Sequence, residues 1–256
     1  MQYIVGCDTD VGPVRKQNQD SYIVRSNNNS KGHSCIALLC DGMGGLSEGD
    51  LASNTVVKAF EKWYIERFEN STDGYRSSID NILEELKVVL KYCHDKLVEY
   101  GNRKSIRLGT TLTLTLLRDN EFIAINVGDS RIYSLQGDFL QITRDDTVVS
   151  RMLEDRTLTP KEAENSKKKH VLTQCVGVGN APLPHIYISK CQVGDVLFLC
   201  CDGMYHELSN DELKDLMIKQ RNELGGNSMN DVREMIRLVK SRGERDNITG
   251  IFITMA

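Results

Sequence analysis

The sequence predicts an α+β fold built from antiparallel β-strands. Eight short runs rich in apolar and β-branched residues are bounded by Gly, Asp and Asn, which is typical of strands; they are 20–26, 35–40, 110–117, 121–127, 131–135, 185–190, 196–201 and 247–254. Longer segments with apolar residues at helical spacing occur in two pairs and do not alternate with the strands. Because the links between strands are short, antiparallel pairing is favoured.

Two of the predicted strands carry patterns that indicate how they are covered. In the run 110–117, Leu112, Leu114 and Leu116 alternate with threonines, so this strand is expected to bury one face. The run 196–201 is apolar on both faces, as in a central strand covered by helices. The asparagine-rich run 27–30 between the first two strands is expected to be a hairpin tip.

Four helices are predicted to cover the faces of the sheets. In 48–66 and 76–100 the apolar residues recur at steps of three and four, which gives each helix one buried stripe. Two more helices are predicted at about 209–221 and 229–241, with Ser209 and Asn210 as candidate caps.

The least regular part of the chain is predicted to be a surface flap at about 144–170. This segment is rich in Arg, Lys, Asp and Glu. It contains short helical patterns around 147–154 and 160–165.

Length, composition and charge exclude several classes of protein. The 256 residues include 32 basic and 36 acidic side chains, for a net charge of −4, which argues against binding to nucleic acid or to an anionic membrane. With 40% apolar and 27% charged residues, a globular protein with one domain over 1–256 is expected. The sequence has no signal-peptide pattern and no run of eighteen apolar residues, which predicts a cytoplasmic location.

Several common catalytic and metal-binding motifs are missing from the sequence. The eight cysteines form no CxxC pair, and the five histidines form no HxxxH or Cys/His cluster, so neither a disulfide framework nor a zinc site is predicted. Phosphate-binding loops of the GxxxxGK[ST] type and the GxSxG elbow are absent. No cysteine precedes a Gly/Arg phosphate loop, which argues against a cysteine nucleophile. The cysteines are therefore expected to be buried, reduced thiols.

Five aspartates stand at the ends of predicted strands. They fall into two groups: three follow an apolar strand and two precede one, and they are Asp41, Asp129 and Asp202, then Asp20 and Asp246. The end of an antiparallel strand lies beside the start of its neighbour, so all five can meet at one rim. A single strand-end Asp is better explained by turn formation. Five in matched positions would repel one another without cations, and oxygen ligands favour Mg²⁺ or Mn²⁺.

The motifs around these aspartates resemble those of one enzyme family. In order, they are RKQNQD (15–20), DGMGG (41–45), GTT (109–111), VGDSR (127–131), LT (172–173), CDG (201–203) and DNIT (246–249). Together they resemble the metal-dependent serine/threonine protein phosphatases of the protein phosphatase 2C family, and particularly its bacterial branch. The resemblance covers essentially the whole chain. It implies two antiparallel sheets packed as a sandwich, with helices on both outer faces in a four-layer αββα arrangement.

The resemblance also implies two tightly bound Mn²⁺ or Mg²⁺ ions. Asp41 would bridge them, Asp202 and Asp246 would complete one, and the Gly42 carbonyl would contribute to the other. Asp20 would hold metal-bound waters.

Further roles follow from the same resemblance. Asp129 together with Asp202 would bind a possible third, weaker ion. Arg15 would bind the substrate phosphate, because a guanidinium matches two phosphate oxygens. Gly44 and Gly45 would let the backbone approach the metal centre.

The implied activity is hydrolysis of phosphoserine and phosphothreonine in proteins. A water or hydroxide between the two ions would attack phosphorus directly, without a phosphoenzyme, and Arg15 and Asp41 are the candidate catalytic residues. The expected partners are phosphorylated proteins and a cognate serine/threonine kinase, with no nucleic acid and no membrane, and a monomer is expected. Two alternatives stay open: a weakly active or inactive relative that serves as a binding module, and a phosphohydrolase for small molecules.

Three positions depart from the family's pattern. Gln19 stands where many relatives have Glu, although Asp20 is in place. Met43 stands where some relatives have a histidine that protonates the leaving group, so the general acid is left open, with His170, His206 and a metal-bound water as candidates. At the base of the flap, Asp146 and Thr147 replace an Asp-His-Ser ending, which predicts altered substrate access.

Overall fold

The computed structural model describes residues 1–44, 48–164 and 166–256, and these form two antiparallel sheets. The first sheet has the strand order β1-β11-β10-β7-β8. Its strands are β1 (Tyr3–Asp10), β7 (Arg131–Gln136), β8 (Asp138–Gln141), β10 (Val196–Cys200) and β11 (Ile248–Met255).

The second sheet has the order β2-β3-β5-β6-β9, and the short strand β4 pairs with the end of β3. Its strands are β2 (Asp20–Asn29), β3 (Gly32–Gly44), β4 (Leu108–Thr110), β5 (Leu112–Arg118), β6 (Glu121–Val127) and β9 (His185–Lys190). The paired registers run antiparallel throughout.

Helices cover both outer faces. The second sheet is covered by α1 (Glu48–Tyr64), which continues as a π-helical turn (Ile65–Glu69), and by α3 (Ile79–Lys104). The first sheet is covered by α7 (Asn210–Asn222) and α8 (Ser228–Arg242). Shorter helices are α2 (Asp73–Arg76), α4 (Val148–Glu154), α5 (Pro160–Glu164) and α6 (Asp202–Tyr205). The expected four-layer αββα arrangement is confirmed.

Strand β3 shows how the core joins these layers. Its residues 35–40 are fully buried, and alternate side chains enter different clusters. Ile36 and Leu38 pack with α1 and α3, whereas Ala37 and Leu39 pack in the cluster that contains the other sheet. A strand buried on both faces has a continuous run of apolar residues, so β3 could be predicted from the sequence.

The predicted strands and helices are found, with corrections at their ends. The run 110–117 is split into β4 and β5 at Thr111, whose backbone N–H donates to the carbonyl of Asp41 at 2.9 Å. The helix predicted from residue 76 begins at Ile79, after the N-cap Ser78. Ser209 caps α7 as expected, in a capping box with Glu212. The end of the predicted segment 160–165 lies at a residue outside the described ranges.

Two strands were not predicted because neither has a core-like pattern. β1 is mostly half-buried and carries Asp8 and Asp10, and β8 is short and mostly exposed. All eight cysteines are free thiols, and seven of them are buried as predicted, whereas Cys7 is half-buried. Among the described residues, no helix is both long and apolar enough to cross a membrane.

Candidate metal centre and substrate cleft

The five strand-end aspartates lie at one rim of the two sheets. Asp20 and Asp41 are paired directly across the β2–β3 ladder. The other three line a cleft of about 820 Å³ together with Asp41, Arg15 and Gly42; they are Asp129, Asp202 and Asp246. Like charges directly opposite one another destabilise a strand pair, so this rim is arranged for a bound cation.

Two threonines hold Asp41 in position through its backbone. The N–H of Asp41 donates to Oγ1 of Thr111 at 2.9 Å. Its carbonyl accepts from Oγ1 of Thr110 at 2.8 Å and from the N–H of Thr111 at 2.9 Å. This explains the Gly-Thr-Thr motif: the hydroxyls fix the aspartate without engaging its carboxylate.

The motif at 246–249 anchors the opposite side of the rim. Oγ1 of Thr249 donates to Oδ2 of Asp20 at 2.5 Å. The side chain of Asn247 accepts from the N–H of Gln19 at 2.9 Å and donates to the carbonyl of Val11 at 2.9 Å. Asn247 and Thr249 were not predicted as site residues. The one feature of the sequence that could have indicated them is their place in the motif at 246–249. Their contacts cross more than two hundred positions of the chain.

The turn that carries Asp129 is held from two directions. Gly128 has a φ of +105°, and its N–H donates to Oδ2 of Asp146 at 2.8 Å. The hydroxyl of Tyr205 donates to the carbonyl of Asp129 at 3.1 Å, and the guanidinium of Arg131 lies 3.6 Å from the centre of the Tyr205 ring. Asp146, at the base of the flap, therefore ties the flap to the rim.

Burial and mutual repulsion perturb the carboxylates of the rim. Burial, followed by the charges of Asp20 and Asp202, raises the pKa of Asp41 well above its usual value. Burial also raises the pKa of Asp20 to about 7, and burial with the charge of Asp202 raises the pKa of Asp129 to about 7. Such shifts show that the ionised cluster lacks enough positive charge of its own.

Asp202 differs from its neighbours. Burial acts to raise the pKa of Asp202, but the nearby imidazoles of His170, whose Nδ1 lies 3.7 Å from Oδ2 of Asp202, and of His206 outweigh it, so the pKa is lowered. Asp202 is therefore ionised more readily than Asp20, Asp41 or Asp129.

Two carboxylate oxygens at the rim fit a divalent ion. Oδ1 of Asp20 and Oδ1 of Asp202 are buried and have no hydrogen-bond partner within the described part of the chain. A buried oxygen in this state is costly unless it binds something, and carboxylate oxygens are the ligands that Mg²⁺ and Mn²⁺ prefer.

The backbone at Gly42 is closely surrounded. A Cβ at this position would lie 2.2 Å from the carbonyl oxygen of Gly49, so only glycine fits. Gly44 ends β3, and Gly45 lies outside the described residues.

We expect the stability of the metal-free protein to fall as pH rises from about 4 to about 7. A carboxyl whose folded-state pKa lies above its unfolded value, about 3.9 for Asp, stabilises the fold in its protonated form. That stability is present at low pH and is lost as pH rises through the folded pKa, which is about 7 for Asp20 and Asp129. Thermal unfolding in chelator across this pH range measures the effect.

A matched pair of variants isolates this effect. Asp20→Asn should flatten the decline, whereas Asp73→Asn, at an exposed position away from the rim, should leave it unchanged. Added Mn²⁺ should remove the decline in the native protein. A chelated protein whose stability is constant or rises over this range, with the same profile in Asp20→Asn, would contradict the repulsive cluster.

Arg15 lies in the cleft, but in this structure it pairs with one of the predicted metal ligands. Its Nε donates to Oδ1 of Asp246 at 2.8 Å and its Nη2 to Oδ2 at 2.6 Å. The guanidinium thus makes with a carboxylate the two-pronged contact expected with phosphate. The sequence analysis did not predict this pair. The Arg15 side chain is 54% exposed, so it is free to exchange partners.

Comparison with known proteins gives a consistent match. The model of the family described as Protein phosphatase 2C matches residues 14–238. The chain belongs to the protein phosphatase 2C family. It is 30% identical to Protein phosphatase PhpP of Streptococcus pneumoniae over 250 residues, which covers 96% of this chain and 95% of the relative.

Solved structures of protein phosphatase 2C enzymes share the fold. The serine/threonine phosphatase of S. agalactiae has a TM-score of 0.85 at 27% identity, with all of both chains covered. The catalytic domain of the serine threonine protein phosphatase PstP, in complex with 2 manganese ions, has a TM-score of 0.77 at 24% identity, with 99% of each chain covered. The latter is a likeness of fold.

Two histidines border the rim of this protein phosphatase 2C domain. His170 and His206 line the cleft, and one ligand atom from each lies within 4.8 Å of the other and of a carboxylate oxygen of Asp202. Two of the histidines thus meet in space beside a carboxylate, which no metal-binding spacing along the chain predicts. The two residues are 36 positions apart and meet only because the flap ends beside α6.

Proposed function

We propose that this protein is a metal-dependent serine/threonine protein phosphatase that uses Mn²⁺ or Mg²⁺. The observation that carries the proposal is the convergence of four aspartates beside Arg15 in one cleft, where Asp20 is paired with one of them, Asp41, across the β2–β3 ladder. Membership of the protein phosphatase 2C family supports the same reaction.

In this proposal, the carboxylates divide the work of holding two ions. Asp41 would contribute to both ions, Asp202 and Asp246 would complete one, the Gly42 carbonyl would contribute to the other, and Asp20 would hold their waters. When bound, the ions supply positive charge to the phosphate and acidify the attacking water. Asp129, with Asp202, would hold a third and weaker ion.

The side chains around the ions bind and orient the substrate. Arg15 exchanges Asp246 for two oxygens of the phosphate, which turns phosphorus toward the rim. Apolar side chains that line the same cleft limit the water near the reacting phosphate; they are Val14, Met43, Leu172 and Val178.

The biological setting is proposed from the same residues. Residues 1–256 would form one catalytic domain, with 144–170 as a flap that controls access. The substrates are phosphorylated proteins, and the resemblance to the bacterial branch implies a cognate kinase. A signalling role, a monomeric state and a cytoplasmic location are part of the same proposal.

The two alternatives are less well supported. A binding module would not need all five aspartates, and here all five are present. A small-molecule phosphohydrolase would use the same rim. Only a comparison of phosphopeptides with small phosphorylated molecules as substrates distinguishes it from a protein phosphatase.

The test is release of phosphate from a phosphothreonine peptide, compared with free phosphothreonine and a nucleotide. We expect hydrolysis of the peptide with Mn²⁺ at a kcat/KM at least about tenfold above that of the small molecules, and none in excess chelator. Preference for the small molecules would favour the second alternative. No hydrolysis of any substrate with either metal would favour the binding module.

Arg15→Ala is expected to raise KM for phosphopeptides about 10- to 100-fold, with a smaller effect on kcat. This is the range expected for loss of a charge-assisted hydrogen bond worth about 1.5–3 kcal/mol. Arg15→Lys should recover only part of the loss, because an ammonium cannot make the two-pronged contact. Steady-state kinetics of the native protein and the two variants measure this. Unchanged kinetics in both variants would mean that Arg15 pairs with Asp246 and does not bind the substrate phosphate.

A further inference from the structure

We propose that His170, His206 and Asp202 form a separate binding site for a transition-metal ion of the Zn²⁺ class on one wall of the cleft. Ligand atoms of the three side chains lie within 4.8 Å of one another. Nδ1 of His170 is 3.7 Å from Oδ2 of Asp202, and the two imidazole rings meet edge to face with 4.8 Å between their centres.

The ligand types distinguish this site from the carboxylate rim. Two imidazole nitrogens and one carboxylate oxygen are a typical donor set for Zn²⁺, and three protein ligands leave a fourth position open. A site with nitrogen ligands favours Zn²⁺ over Mn²⁺ in the general order of stability, and Mg²⁺ prefers oxygen ligands alone. The two imidazoles therefore make the wall the better site for zinc, whereas the oxygen ligands of the rim suit Mg²⁺ and Mn²⁺.

The three ligand atoms would need to move only a short distance to bind one ion. Ligand atoms of a tetrahedral zinc ion lie about 3.3 Å apart, given bonds of about 2.0–2.1 Å. The atoms here must approach by about 1.5 Å at most. His170 is 49% exposed and belongs to the end of the flap, and His206 is the C-cap residue of α6. Both rings can turn without repacking the core.

The buried carboxylate of Glu244 lies beside the imidazole of His206. Oε2 of Glu244 lies 4.0 Å from Nδ1 of His206. Glu244 is itself fixed, because its Oε1 accepts the N–H groups of Arg245 at 2.6 Å and Asp246 at 2.8 Å. A carboxylate beside one ring nitrogen commonly orients a metal-binding histidine and sets which nitrogen binds.

Asp202 connects the site to the rim. Its Oδ2 faces His170, and its Oδ1 is buried without a hydrogen-bond partner among the residues described. One carboxylate thus offers oxygen to both places. An ion on the wall would draw Asp202 from the rim and hold the flap against α6. It would therefore lower phosphatase activity, a consequence that rests on the proposed function.

The test is zinc K-edge X-ray absorption on the full chain, loaded with Mn²⁺ and given one equivalent of Zn²⁺. We expect scattering from two imidazoles in the native protein and its loss in the His170→Asn/His206→Asn double variant. Zinc affinity, measured by competition with a chromogenic chelator, should fall at least about 10- to 100-fold in the double variant, the loss seen even when an outer partner of a metal site is removed.

His33→Asn is the matched control, since His33 lies near the start of β3 and Asp41 near its other end. This variant should bind zinc like the native protein. If the double variant does not fold, His170→Asn alone, at a half-exposed position, should lose one imidazole and weaken binding. Zinc bound by oxygen ligands only, or with equal affinity in all variants, would overturn the proposal. These readouts do not depend on phosphatase activity, so failure of the proposed function would leave them unchanged.

Discussion

Asp41→Asn is expected to lower kcat for phosphopeptide hydrolysis by about 10²- to 10³-fold, the range lost when one group that stabilises transition-state charge is removed. An amide has one acceptor oxygen and no charge, so it cannot bridge two cations. The fold should survive, because Asp41 is held through its backbone by Thr110 and Thr111. Removing one of the repelling charges should leave the metal-free protein at least as stable as before.

Kinetics with Mn²⁺ and thermal unfolding in chelator measure the two halves of this prediction. Asp202→Asn should lower kcat in the same way. Asp73→Asn is the control, because Asp73 also precedes a glycine but begins the short helix α2 and is largely exposed. Full activity in both rim variants would contradict the two-metal site, and a large loss in Asp73→Asn would show that the assay reports folding.

Met43→His is expected to speed hydrolysis of a phosphoserine peptide relative to p-nitrophenyl phosphate, by at most the 10²- to 10⁴-fold typical of general acids. Met43 lines the cleft, opposite Gly109 in the β3–β4 pair. Its thioether cannot donate a proton to a departing serine oxygen, whereas nitrophenolate leaves without one. The native enzyme should therefore show a steep dependence of rate on the pKa of the leaving group.

Met43→Gln is the control, since it adds a polar side chain of similar size without an acid. The metal content of both variants must match that of the native protein. A flat dependence in the native enzyme would mean that an acid already acts in the cleft. His170 and His206, which line it, would then be the residues to vary next.

The sequence predicts most of the strands and helices and the carboxylate rim because they depend on local patterns, whereas the four-layer arrangement is implied by the resemblance to the protein phosphatase 2C family. The continuous apolar run of β3 and the strand-end position of Asp41 can each be recognised without knowing any partner. The direct pairing of Asp20 with Asp41 also follows from a hairpin between neighbouring strands. Strand β1 was not predicted, because it is half-buried, carries acidic residues and lacks the apolar pattern of a core strand.

The remaining features depend on contacts between distant parts of the chain. The pair of Arg15 with Asp246 spans 231 positions, and the contact of Thr249 with Asp20 spans 229. No spacing rule covers such separations. The approach of His170 to His206 depends on where an irregular flap ends, which no periodicity in 144–170 determines.

In the proposed function, the carboxylate rim holds two divalent ions on which phosphate release depends. The most direct measurement counts bound Mn²⁺ per chain during a titration while following phosphate release from a phosphothreonine peptide. We expect two tightly bound ions, activity that rises with their occupancy, and loss of both in excess chelator. Full activity in chelator with no bound metal would contradict a two-metal site that phosphate release depends on.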